Sequence, residues 1–150
     1  MGRNGMTTDL ALNNFRESVM ILQEKILQGP QVECPLVHHF AGGVYAREVT
    51  IPAGTVVIGK IHKRECINIL IKGDITVVTE EGTRRMQAPC TFVAPPFTKK
   101  AAYTHTETIW MNVIATDSTD PEEIEKNVIC EDYNNQEFMD YVIETLQIKE

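Results

Sequence analysis

The chain has 150 residues, 43% of them hydrophobic and 23% charged, which are the proportions of one globular domain able to bury its own core. Its net charge of −7 is unevenly placed: residues 32–116 carry nine Lys/Arg against seven Asp/Glu, whereas residues 117–150 carry two against eleven. The total argues against duplex nucleic acid as a partner, and no apolar run approaches the roughly 18 residues of a membrane-crossing helix, so no membrane partner is expected.

The first segment reads as a helix. Thr8 and Asp9 can cap its start, Leu12, Phe15, Val19, Leu22 and Ile26 form one apolar stripe, and Gly29-Pro30 stops it. Packing of that stripe on the domain is the simpler reading, and pairing with a second subunit is the alternative. From Val32 to about Thr116 the segments VYAREVTI, TVVIGKIH, CINILIKG, DITVVTEE, TFVAP and TIWMNVIAT are short and rich in Val, Ile and Thr. Turn residues separate them, among them Gly42-Gly43, Gly73-Asp74 and Pro95-Pro96, with no helix between. This pattern predicts an antiparallel sandwich or barrel. After it, Ser118, Thr119 and Asp120 offer caps, Pro121 suits a first helical position, and Glu122 and Glu123 favour the positive end of a helix dipole. A second helix is expected near Asn135, with Phe138, Tyr141, Val142 and Leu146 on one face. The chain therefore divides into a helical lead (1–31), a β-barrel (32–116) and an acidic helical tail (117–150).

Cys34, Cys66, Cys90 and Cys130 are scattered and form no CxxC pair, which suggests reduced thiols. The opening MGRNGMTTDL contains no apolar stretch, and Met6 occupies the place where a myristoylation pattern has Ser or Thr. The expected location is therefore cytoplasmic.

Two stretches carry a family resemblance. The first runs Gly54, TVVIG, Lys60-Ile61-His62, KRE, Cys66, INILIK, Gly73; the second runs Pro89, CTFVA, Pro95-Pro96-Phe97, TK, Lys100, AAY, Thr104. Their spacing is similar to the two motifs of the cupin superfamily, with identity kept at Gly54, His62, Gly73 and Pro95. HHFAGGVYAREVTIPAGTVVIGKIHK and APCTFVAPP resemble small cupin-like proteins often encoded by bacteriophages, over roughly residues 34–125. The resemblance implies a mainly β fold, a cupin-like antiparallel β-barrel (double-stranded β-helix or jelly roll) with an N-terminal helix and C-terminal helices. If the protein is viral, it also implies the host cytoplasm as its location.

Metal-binding cupins hold their ion with three His and one Glu, and the matched positions here are Lys60, His62, Cys66 and Lys100. Ammonium groups repel a divalent cation and ligate only after deprotonation, so no metal and no other cofactor is expected. His38, His39 or His105 with Cys34 make a poor substitute set, because His38 and His39, adjacent on a strand, point to opposite faces. The cupin spacing implies instead that Lys60, His62, Cys66 and Lys100 point into the barrel as ligand-binding residues, where two lysines and an imidazole make an anion site. Asn68, on the face of Cys66, can hydrogen-bond a polar ligand, and Arg47 can grip a phosphate or carboxylate if its strand faces inward. The alternative is that the lysines are solvated rim residues. His105 lies near Glu107, and Trp110 and Tyr103 are candidate stacking residues, more often found in cores.

Three functions compete. The first is a non-enzymatic module binding a small anion such as a nucleotide or phosphorylated metabolite, in one version a phage protein sequestering a host-defence nucleotide signal. The second is a metal-independent cupin enzyme of sugar-nucleotide isomerase or epimerase type, with His62 as base. The third is a structural or assembly protein. A homo-oligomer, dimer or higher, is expected from exposed sheet edges and the helical stripe.

Overall fold

The computed structural model describes residues 2–130, with side chains from residue 15 onward. The helix expected near Asn135 lies outside the described residues. Helix α1 spans Gly2–Leu27 and α2 spans Pro121–Val128. Between them run β1 (Leu36–Ala41), β2 (Val44–Ile51), β3 (Val56–Ile58), β4 (Ile61–His62), β5 (Cys66–Lys72), β6 (Asp74–Thr79), β7 (Gly82–Gln87), β8 (Cys90–Ala94), β9 (Ala101–Thr104) and β10 (Thr108–Ala115), and β11 (Ile129–Cys130) follows α2.

Every strand pairing is antiparallel. One sheet has the order β1-β2-β10-β5-β8, a second has β3-β9-β6-β7, and β11 pairs with β4. The alternation read in the sequence places the two apolar faces against each other. Leu70 and Trp110 from the first sheet meet Ile75, Val77 and Met86 from the second, and all five are buried. A smaller cluster, Ile61, Phe97 and Cys130, joins β4 to β11.

Several elements differ from the sequence reading. TVVIGKIH is interrupted at Gly59-Lys60 and makes two short strands. The strands β7 and β9 have no Val or Ile signal: β7 reads GTRRMQ and lies at a sheet edge, where Met86 alone is buried, and β9 reads AAYT. Helix α1 begins at Gly2, so Thr8 and Asp9 lie within it and not at its start. Its second half packs on its own barrel. Val19 is buried, Arg16 pairs with Glu80 at 3.1 Å, and Gln23 Oε1 accepts from Lys99 Nζ at 2.6 Å. The start of α2 matches the reading: Asp120 is the N-cap, its carboxylate accepts from the Glu122 N–H, and Pro121 opens the first turn.

Candidate functional site

The register of the larger sheet sets one wall of a cavity. His38 on β1 faces Arg47 on β2, Arg47 faces Asn112 on β10, and Asn112 faces Asn68 on β5. One step along the strands, Leu36, Val49, Trp110 and Leu70 form the next inward row. In the second sheet, Val57, Ala102 and Val77 are partnered across β3, β9 and β6. The space between has a volume of about 490 Å³, within the range of small-molecule sites.

Arg47, Lys60, His62, Asn68 and Lys100 all line this cavity. Long-range pairing brings them together. The Gly59 N–H donates to the Lys100 carbonyl at 2.8 Å, which holds the stretch before β9 beside Gly59-Lys60. Lys99 and Lys100 diverge, as neighbours on an extended chain must. Lys99 is buried toward α1, whereas Lys100 turns into the cavity. Cys66 is buried and does not line the cavity; its sulfur accepts from Asn112 Nδ2 at 3.6 Å.

The charges are unequally satisfied. Lys60 has 57% of its side chain exposed and pairs with Glu125 of α2, so it is a rim residue with a partner. The side chains of Arg47 and Lys100 make no hydrogen bond or ion pair among the described residues. Burial pushes the Lys100 ammonium below its ordinary range, with the Cys66 thiol acting in the opposite sense. His62 is pushed down to about 4, first by burial and then by the cations Lys100, Arg47 and Lys60. It is therefore neutral near pH 7, and its buried Nδ1 has no hydrogen-bond partner among the described residues.

Asn68 differs from the expected ligand contact. It is fully buried, its Oδ1 accepts from Trp110 Nε1 at 3.1 Å and Asn112 Nδ2 at 2.7 Å, and its Nδ2 donates to the Cys66 carbonyl at 3.1 Å. An indole can only donate, so Trp110 fixes the Asn68 amide, and Asn68 fixes Asn112. Asn112, Tyr45 and Glu125 also line the cavity, and no sequence motif marks them. Period-two counting from Arg47 reaches Tyr45, and the register reaches Asn112. His38 Nδ1 lies 2.6 Å from the Tyr45 hydroxyl. His105 bonds Thr76 at 2.7 Å and Glu107 pairs with Lys72 at 2.9 Å, so these two do not form a pair with each other. Trp110 belongs to the core, while Tyr103 is 43% exposed.

The matched cupin positions do not fit a metal ion. Two are ammonium groups, one of them paired with Glu125, and among the described residues no three His, Cys, Asp or Glu side chains are grouped to hold one.

No protein-family model and no curated protein sequence matches the chain. Among solved structures, a salicylate 1,2-dioxygenase from Pseudaminobacter salicylatoxidans is similar with a TM-score of 0.51 and 13% identity, over 77% of this chain and 34% of the dioxygenase. A cupin superfamily protein from Desulfitobacterium hafniense is similar with a TM-score of 0.49 and 8% identity, over 59% of this chain and 83% of that one. KdgF from Halomonas sp. is similar with a TM-score of 0.48 and 21% identity, over 62% and 88%. At these identities the likeness concerns the fold. The chain has an antiparallel β fold of jelly-roll type, with one helix before the barrel strands and one after β10 in sequence.

Proposed function

We propose that the barrel is a non-enzymatic binding module for a small anion. One observation carries this reading: Arg47 and Lys100 face the cavity with no carboxylate partner among the described residues, while the lining carboxylates, Glu122 and Glu125, are both on α2. A partly buried cation without a counter-charge is costly, and a bound anion would offset that cost. Retaining a ligand without converting it is what sequestration requires. In a phage-borne protein the target would be a host signal, a nucleotide being one case.

The enzymatic alternative assigns His62 as a general base. A group with its pKa near 4 is a weak base at neutral pH, and no carboxylate orients its Nδ1 among the described residues. Both features support binding over turnover. The test is mass spectrometry of small molecules released when the purified full chain is denatured. An anion recovered near one per chain is the expected result. Recovery of none, together with turnover of an offered sugar nucleotide, overturns the reading in favour of the enzyme.

A further inference from the structure

The two poles of the cavity differ in kind. At one pole stand Arg47, His62 and Lys100, which line the cavity together, both cations acting on the imidazole. One row further in, Val49 and Trp110 from the larger sheet face Val77 and Ala102 from the smaller. The only side-chain polar atom of those four residues is Trp110 Nε1, and it donates to Asn68 Oδ1. Asn68 is itself fully buried and bonded to Asn112 and the Cys66 carbonyl. The hydrogen-bonding capacity of this pole is therefore spent within the protein.

Anything reaching past Arg47 loses water there. A polar edge inserted among Val49, Val77 and Ala102 meets no donor or acceptor, and each unpaired group would weaken binding roughly tenfold or more. A methylene inserted at the same place would strengthen binding about threefold to fourfold.

We infer that the ligand is an amphipathic anion: a carboxylate or phosphate-monoester head held by Arg47 and Lys100, joined to an apolar body seated against Val49, Val77, Ala102 and Trp110. This inference rests on the anion-site reading above and narrows it. The ligand it describes departs from the nucleotide case of that reading, because a base carries several hydrogen-bonding groups around its ring that this pole would leave unpaired. Asn68 is a positioning residue in this arrangement: it consumes the indole N–H and leaves that wall apolar.

The test is calorimetric titration of the full chain with straight-chain alkyl carboxylates and alkyl phosphates of about four to about ten carbons, beside AMP, inorganic phosphate and the matching alcohols. Affinity is expected to rise about threefold to fourfold per methylene until the cavity is full, and the stronger of the two series identifies the head group. Lys100→Met should weaken every member by a similar factor and leave the slope unchanged. Ala102→Phe, which fills the apolar pole, should weaken the long members and spare the short ones. The slope measured on the native chain stands even if Ala102→Phe fails to fold. A flat dependence on chain length, or AMP binding as tightly as the longest alkyl anion, overturns the amphipathic ligand and leaves the anion site intact. Alcohols binding as well as the acids, or no anion binding at all, overturns both.

Discussion

Adjacent lysines on β9's approach show how one residue type takes two roles. Lys99 is buried against α1, with Gln23 Oε1 and the Gly59 carbonyl as acceptors, and Lys100 lies one position on, in the cavity. Replacing Lys100 by Met keeps much of its bulk and removes a charge that burial disfavours. Anion affinity should fall roughly ten- to a hundredfold, while the thermal midpoint holds or rises. A midpoint that falls sharply would show that the ammonium supports the fold instead. His62 gives a pH signature. Its pKa is about 4 folded against about 6.5 unfolded, so between those values the unfolded chain binds the proton first. Stability from this group is complete above about pH 6.5 and is lost as the pH falls toward 4, by on the order of 3 kcal/mol. His62→Gln should flatten that part of the stability profile; an unchanged acid loss would assign it to other groups. Gly73 sits at φ +109°, and a Cβ there would lie 2.6 Å from Thr108 Oγ1 and 2.7 Å from the Glu107 carbonyl. Gly73→Ala therefore combines backbone strain with a clash and should cost about 2 kcal/mol or more in chemical denaturation.

Among the elements, what the sequence shows depends on range. The β2, β5 and β10 segments are visible because their apolar residues alternate or cluster locally. Edge strands β1 and β7 are harder to see: all six residues of β1 are exposed, and β7 buries one. Motif spacing locates Lys60, His62 and Lys100, because the cupin motifs cover those positions. It says nothing of Asn112, which reaches the site through the pairing of β10 with β2 and β5, or of Glu125, which reaches it through the docking of α2 beside β4. The outward face of the larger sheet carries a further proposal. Val37, Ile67, Ile71 and Val93 are 42–58% exposed there, and His39 and Glu48 on the same face lie 3.4 Å apart. Exposed apolar side chains on one sheet face are often covered by a partner, and the occupant proposed here is a second copy of the chain, as the homo-oligomer expected from the sequence would supply. If a second copy covers this face, Ile67→Lys on it should shift the chain from dimer to monomer in sedimentation. A wild-type chain that sediments as a monomer at micromolar concentration would remove the proposal.

At the scale of the whole molecule, turn spacing and strand composition make a β-barrel legible. Strand order is not legible, because β2 meets β10 across about half the described chain and no local pattern encodes that pairing. Charge follows the same division. The excess of basic residues in 32–116 contributes to a cavity with two cations lacking partners among the described residues, and the acidic residues of α2 supply the carboxylates at that cavity. The account stands on the claim that this cavity holds an anion. The most direct measurement is the affinity of the full chain for an alkyl carboxylate and for the alcohol of the same length, each with and without Lys100→Met. The account predicts that the acid binds at least about tenfold more tightly than the alcohol, and that the substitution removes most of that difference. Equal affinity for acid and alcohol, or a preference untouched by Lys100→Met, would contradict it.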